Sequence, residues 1–360
     1  MKKLVLSGVL LILLTGCGRD ASQLTVVTGI GVDGTPGDYQ IGTEVIRLTG
    51  NDQSSQSVLL QADGHTISDG IDSLVSTTGR SLYSNHAQVL VIGRKTAQAD
   101  LAVLLEELMR VNQYPISLRV AVAKGTAAEV MEAKAVVSDL HSVELEDMIR
   151  EGASQCLTVD MNVSSFYQDM RAPGIEGVLP FIELREDNGE KICTLAGTAL
   201  FRDTSLVTVL DRDDSRTLMW MRGKSGGTLV TRHGLLEVTY LDRSLEAKKN
   251  GAKLTLKLTL TAASSEDNKE ALMKEARQLM EQRCRSLIAQ LQTLECDAVG
   301  FGQQLRRQHL AHWNRLSQPW SRVFTDYPVQ VEVQVENLIW GRIWSDEGIV
   351  SEEGEEQRGT

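Results

Sequence analysis

Leu254-Thr255-Leu256-Lys257-Leu258-Thr259-Leu260 alternates apolar and polar residues without a break, and Val329-Gln330-Val331-Glu332-Val333-Gln334-Val335 does the same. Successive side chains of a β-strand point to opposite faces, so each segment reads as a strand with one dry face and one wet face. Between them, from about Asp267 to Leu294, the residues Leu272, Ala276, Met280, Cys284, Leu287 and Leu291 recur at the three- to four-residue spacing of one helix face. Two half-wet strands and one long amphipathic helix can bury each other's apolar faces. The expectation is a C-terminal unit over 235–345, strand–long helix–strand, with both strands in one sheet under the helix.

Upstream, strands and helices alternate. Thr25–Ile30 and Tyr39–Leu48 read as strands joined by the turn-rich Asp33-Gly34-Thr35-Pro36-Gly37-Asp38, and the polar stretch 49–57 reads as a loop. Ile67, Ile71, Leu74 and Val75 share a helix face that Gly79 ends. Val89–Ile92 is a short buried-type strand. Leu101, Leu104, Leu105 and Leu108 mark a helix that Pro115 stops, Leu118–Ala123 is a strand, and Thr126-x-x-Glu129 is a capping box opening the next helix. This pattern predicts an N-terminal α/β domain over 17–188. Cys193–Phe201 and Leu206–Leu210, separated by Gly, Asp and Arg clusters, read as a small β-rich segment over 189–234, with a boundary near Asn188-Gly189. The fold class is thus mixed, α+β or α/β, in several small domains whose mixed sheets are flanked by helices. Residues 346–360 carry six acids against one arginine and read as a solvated, disordered tail.

The 360 residues hold 37 Lys+Arg against 48 Asp+Glu, a formal charge of −11. Nucleic-acid binders concentrate positive charge to neutralise phosphates, so a nucleic-acid partner is excluded from the expectations. The first seventeen residues are more specific. Lys2 and Lys3 precede an apolar run from Leu4 to Leu14, too short for a helix to cross a hydrocarbon core of roughly 30 Å, which needs about 20 residues. The run fits the apolar region of an export signal. Leu14-Thr15-Gly16-Cys17 follows it and resembles the bacterial lipobox, in which the cysteine thiol takes a diacylglyceryl group and the signal is cut just before it. The expectation is a signal peptide over 1–16, cleavage between Gly16 and Cys17, and lipid on Cys17. Residues 1–16 hold two lysines and no acid, so cleavage takes the formal charge from −11 to −13. Seven residue steps separate Cys17 from Leu24. At about 3.6 Å or less each, they keep the body within roughly 25 Å of the lipid.

Four ordered blocks then identify a likeness. Leu24-Thr25-Val26-Val27-Thr28-Gly29-Ile30-Gly31-Val32-Asp33 and Gly79-Arg80-Ser81-Leu82-Tyr83-Ser84-Asn85-His86-Ala87-Gln88-Val89-Leu90-Val91-Ile92-Gly93 come first. Leu195-Ala196-Gly197-Thr198-Ala199-Leu200-Phe201 with Trp220-Met221-Arg222-Gly223-Lys224 follow. Gly300-Phe301-Gly302, Trp313, Trp320 and the Val329–Val335 strand close the series. Together with the lipobox they resemble the Ger(x)C spore-germination lipoproteins, the C subunits of nutrient germinant receptors in spore-forming bacteria. The family often has Trp-Asp directly after the lipidated cysteine, where this chain has Gly18 and Arg19 before Asp20. That departure bears on packing near the membrane. The resemblance implies three small mixed α/β domains on the outer face of the inner spore membrane. It also implies two integral membrane partners, the A and B type receptor subunits, and no enzymatic activity or cofactor.

Other constellations are weaker. Gly29-x-Gly31-x-x-Gly34 has the letters of a dinucleotide fingerprint, but a strand, not a helix N-terminus, follows the third glycine, so the glycines are assigned to a hairpin turn. His309-x-x-His312 lacks a third ligand of suitable spacing for zinc and reads as surface or interface histidines. Ser84-Asn85-His86 lacks the strand-to-helix elbow of a nucleophilic serine. Cys156, Cys193, Cys284 and Cys296 allow three full disulfide pairings in an exported protein, with free buried thiols the favoured state. Phe301, Trp313 and Trp320 gather in a chain that is only 4% aromatic, which makes 300–320 a candidate contact face, with core packing the better reading. No catalytic, cofactor or metal residue is assigned. The leading function is a non-catalytic subunit of a sensory complex. The alternatives are a substrate-binding lipoprotein of a transporter, which needs two similar lobes around a cleft, and a lipid-anchored hydrolase, which needs a reactive constellation.

Overall fold

The computed structural model describes residues 24–47, 56–111, 114–232, 234–262, 269–316 and 318–340. The signal segment 1–16, Cys17, most of the 49–57 stretch and the acidic tail lie outside the described residues.

β1 (Leu24–Thr35) and β2 (Asp38–Arg47) form an antiparallel hairpin around Pro36-Gly37. β3 (Gln56–Gly64) pairs with β2. Helix α1 (Ile67–Thr78) is capped by the Thr66 side chain and ends at left-handed Gly79. β4 (Ser81–Tyr83) and β5 (Val89–Ile92) then run parallel to β1, with a 3-10 turn over Ser84–His86 between them. Next come α2 (Arg94–Gln98), α3 (Ala102–Arg110), β6 (Arg119–Ala123), α4 (Ala127–Met131) with its capping box, α5 (His141–Ser154) and α6 (Val163–Arg171). β7 (Val178–Asp187), β8 (Glu190–Arg202) and β9 (Ser205–Leu210) complete a mixed sheet in the order β3-β2-β1-β5-β6-β7-β8-β9, with β4 beside β1. Its centre is parallel and its flanks are antiparallel hairpins.

Both faces of that sheet are covered, which is why Val89–Ile92 is buried at every position. Val89, Val91, Ala121 and Ala123 face Val130, Met131, Leu145 and Ile149 of α4 and α5. Leu90, Ile92, Val120 and Val122 face the opposite way, into the main core. After α7 (Arg212–Met221), the strands β10 (Thr228–Thr231), β11 (Gly234–Lys248) and β12 (Gly251–Ala262) form antiparallel pairs. Helix α8 (Lys269–Thr293), then α9 (Phe301–Gln308), α10 (Leu310–Trp313) and α11 (Trp320–Phe324) lead to β13 (Val329–Trp340), which lies parallel to β12.

The C-terminal unit has the expected form. Leu254 pairs with Val331, Leu256 with Val333 and Leu258 with Val335 in one sheet. The buried face of α8 is Leu272, Ala276, Met280, Cys284, Leu287, Ile288 and Leu291. α8 also shields the outer edge of the sheet: Glu281 accepts from the Val333 N–H at 3.3 Å and Arg285 donates to the Val331 carbonyl at 3.3 Å. Partnered edge groups are poor templates for pairing with another chain.

Two expectations need correction. Asn188-Gly189 is the tip of the β7–β8 hairpin, with φ of 51° and 80°, the doubly positive turn that suits a twisted hairpin. Strands read as a separate segment over 189–234 are divided between the sheets, β8 and β9 in the large one and β10 in the small one. Pattern within a strand says that it is a strand, whereas its sheet is chosen by partners far along the chain. The large and small sheets also differ in size and strand order, so they do not make the two similar lobes that the transporter reading requires.

Neighbouring positions on β13 should separate the two faces of the small sheet. Val333→Lys places a charge against α8 and is expected to cost more than about 3 kcal/mol, whereas Gln334→Lys on the wet face should stay within about 0.5 kcal/mol. Urea unfolding of the two variants checks this.

Candidate functional site

The 300–320 segment is a junction between the sheets. Asp297 lies in the loop between α8 and α9, and α9 begins after Gly300, which has no side chain to cap the first N–H groups. Asp297 does so from three residues upstream. Its Oδ1 accepts from Gly300 N at 2.8 Å and Phe301 N at 3.1 Å, and its Oδ2 from Gly302 N at 2.8 Å and Trp320 Nε1 at 2.9 Å. Burial pushes the Asp297 carboxyl above the usual range, while the four donors pull it back. A carboxylate with all four N–H partners in place is the arrangement that makes such burial tolerable.

The same loop grips the large sheet. Asp297 O accepts from Glu176 N at 3.0 Å, Gly174 O accepts from Gln303 N at 2.7 Å, and the Cys296 thiol donates to Phe201 O on β8 at 3.1 Å. On the other side Gln304 donates to Leu245 O at 2.8 Å, Gln308 accepts from Ala247 N at 2.7 Å, and Arg243 donates to Val299 O at 3.3 Å, all on β11. Trp320 packs on Trp313, Phe324 and, edge-on, Tyr327, whose hydroxyl donates to carbonyls of the β11–β12 turn. Gly302 must lack a side chain, since a Cβ there would lie 2.4 Å from the Trp320 ring. Phe301 is fully buried and Trp320 is 8% exposed, so the aromatic concentration is core packing.

The remaining candidates also have structural employment. Gly29 and Gly31 sit inside β1, where a Cβ would meet Ser142 and Met131 at 2.7 and 2.8 Å; they admit α4 and α5 close to the sheet. The assignment of all three fingerprint glycines to the turn is therefore corrected, because the turn itself is Pro36-Gly37. Asp33 accepts from Ala127 N and Ala128 N at 2.9 and 3.0 Å, and buried Glu44 accepts from His141 N, Ser142 N and Thr28 Oγ1, each at 2.9 Å. Each acid, from the β1–β2 hairpin, thus tethers the start of a helix. Hydrogen bonds to these donors, led against burial by that from Ser142, leave Glu44 below the usual carboxylate range. Ser84 is buried, whereas Asn85 and His86 are exposed. His309 bonds to Ala247 O at 3.1 Å and belongs to the junction between α9 and α10, and His312 follows on α10. Among the described residues no three His, Cys, Asp or Glu side chains are grouped to hold a metal ion.

The four thiols beyond Cys17 are free. Burial pushes Cys156 up to about 11 and Cys193 and Cys284 up to about 12, and raises Cys296 well above the ordinary thiol value. At neutral pH these are packing groups, since the thiolate is the reactive form. Sequence reasoning missed Asp297, Glu44 and the helix-tethering role of Asp33. Asp297 had a local signal, an acid three residues before a Gly-led helix start. Glu44 had none, because the helix donors it caps, His141 N and Ser142 N, lie almost a hundred residues away.

Comparison with known proteins places the chain. Residues 18–184 match the spore germination protein N-terminal domain, and residues 196–337 match the spore germination B3/GerAC-like C-terminal family, the two meeting across the β7–β8 hairpin. The putative spore germination protein YfkR of Bacillus subtilis (strain 168) is 20% identical, with 91% of this chain and 94% of that protein covered. Spore germination protein B3 of the same organism is 21% identical, with 93% and 96% covered. Spore germination protein KC, again from that organism, is 21% identical, with 90% and 91% covered. The crystal structure of the GerBC protein shares the fold, with a TM-score of 0.56 at 16% identity over 87% of this chain and 96% of that one.

Glu176 makes the junction sensitive to pH. Burial pushes its carboxyl up to about 7, the Asp203 N–H opposes the shift, and the Asp203 and Asp297 charges add to it. The native chain then keeps a proton that an unfolded glutamate loses near pH 4.3, so native stability falls as pH rises from about 4.5 to 7. Glu176→Gln should remove that slope, raising the thermal midpoint at pH 8 and leaving it nearly unchanged at pH 5. Thermal unfolding of both proteins at the two pH values measures it.

Proposed function

The chain belongs to the Ger(x)C family of spore germination proteins and acts in spore germination, and from that premise we propose that it is the lipid-anchored, non-catalytic C-type subunit of a nutrient germinant receptor. The observation that carries the reading is the pair of family matches, which run in order through both halves of the chain. The lipobox at Leu14–Cys17 supports the anchor, with Cys17 as the attachment residue after cleavage behind Gly16. Two acyl chains hold a protein stably where one does not, each buried CH₂ contributing about 0.8 kcal/mol. Among the described residues no helix is long and apolar enough to cross a membrane, which is consistent with attachment through lipid.

Its work in the receptor is then positional. Integral membrane subunits of the A and B types are the partners, and the site is the outer face of the inner spore membrane. The buried acids are occupied by backbone donors and the thiols are held protonated, an arrangement suited to a rigid body that binds its neighbours or passes a conformational bias between them.

Spores lacking this chain, with paralogous receptors also removed, are expected to respond poorly to the nutrients of its receptor and normally to stimuli acting downstream of receptors. Germination assays on both stimuli decide it, and an unaltered nutrient response overturns the assignment. Cys17→Ala should abolish incorporation of labelled fatty acid into the protein.

A further inference from the structure

The point at which the tether enters the fold defines one end of the large sheet. Leu24 opens β1 and pairs with Ser81, and Val26 pairs with Tyr83, so β4 lies beside the first residues of the body. β5 and β6 begin farther along β1, at Gly29↔Val89 and Val89↔Arg119. The β1–β4 corner therefore projects beyond the central strands. The 3-10 turn over Ser84–His86 follows at once. A turn closed by Leu118 N donating to Pro115 O at 3.0 Å leads into β6 beside it, since Arg119 N donates to Gln88 O at 3.0 Å.

The β4 side of this end is apolar at its tips. Ile116, inside the turn, is 72% exposed, Tyr83 is 40% exposed, and Val75 in the last turn of α1 is exposed as well. The Tyr83 ring is held by its neighbours, with the His86 ring centroid at 5.6 Å and Asn85 Nδ2 donating to its hydroxyl at 3.0 Å. Residues 73–88 and 114–119 contain no aspartate or glutamate, in a chain with 48 of them, and they carry Arg80, His86 and Arg119. Arg119 is paired with Glu146 and Asp160, whereas Arg80 is exposed.

We propose that this corner, carrying Val75, Arg80, Tyr83, His86 and Ile116, rests on the lipid surface of the membrane and fixes the orientation of the body. The proposal rests on the reading of Cys17 as the anchor. A tether of seven steps spans at most roughly 25 Å, so the corner next to Leu24 is the part of the body that it holds nearest the lipid. A tyrosine ring with a polar tip suits the headgroup level, and an exposed arginine within a segment that carries no acid suits anionic phospholipid. The rest of the acidic body is repelled by the same headgroups, which turns it outward.

The test is amide hydrogen exchange on the lipidated full chain, in vesicles of phosphatidylglycerol and phosphatidylethanolamine and in detergent. On vesicles, segments 83–87 and 115–118 should exchange about threefold or more slowly than in detergent. The Tyr83→Glu, Ile116→Glu double variant, altered only at exposed positions, should lose that slowing while its lipid still holds it to the vesicles. Unchanged exchange there in vesicle-bound wild-type chain overturns the proposal. So does slowing that needs co-reconstituted membrane subunits, which would make the corner a protein interface. Absence of lipid on Cys17 defeats the anchor reading separately. The chain held to the same vesicles by an N-terminal histidine tag on a nickel-chelating lipid then answers the surface question by the same exchange pattern.

Discussion

The buried carboxylate of Asp297 is the constraint on which the two sheets depend. An anion in a protein interior is tolerable only when its oxygens are fully engaged, and here four N–H donors converge on it, three from the start of α9 and one from Trp320. Meeting that requirement fixes the loop after α8, the direction of α9 and the position of Trp320 together. The loop so fixed binds Glu176 and Phe201 of the large-sheet region, while α9 binds β11 of the small sheet. One local demand for hydrogen bonds thus becomes one of the connections between the two sheets, beside their shared hydrophobic core.

The same device recurs at smaller scale. Asp33 and Glu44 leave the β1–β2 hairpin to cap α4 and α5, and Glu107 on α3 accepts from Ile67 N and Ser68 N at the start of α1. A helix start presents unpaired N–H groups and the positive end of its dipole, so an acid from another element both satisfies the donors and locks two elements together. An acidic composition in this family member therefore has an internal use as well as a solvating one. An acid committed to backbone donors in this way is not free to move a proton. Glu176 differs from these helix-capping acids in having one backbone donor and two acidic neighbours.

These junctions, and not a pocket, are the most fully hydrogen-bonded features described in the fold. The junction at Asp297 joins the two sheets through densely packed, hydrogen-bonded groups of low compressibility.

Much of this was legible in the residues themselves. Leu254–Leu260, Val329–Val335 and the α8 stripe declare their periods, and the period alone states which face is dry; the Thr126–Glu129 capping box and Gly79 stop are equally local. The ordered family blocks likewise depend only on neighbouring letters. Sheet membership was not legible, as Asn188-Gly189 shows: a hairpin tip and a domain boundary have the same composition, and the difference lies in which strands pair on either side. Nor was the use of Gly29 and Gly31, where the missing side chains make room for Ser142 and Met131, or the pairing of Glu44 with donors at 141 and 142. Period, turn and cap are decided within a few residues by backbone sterics and solvent. Which acid meets which helix start is decided only when the folded chain brings distant donors within about 3 Å and leaves no water to take their place.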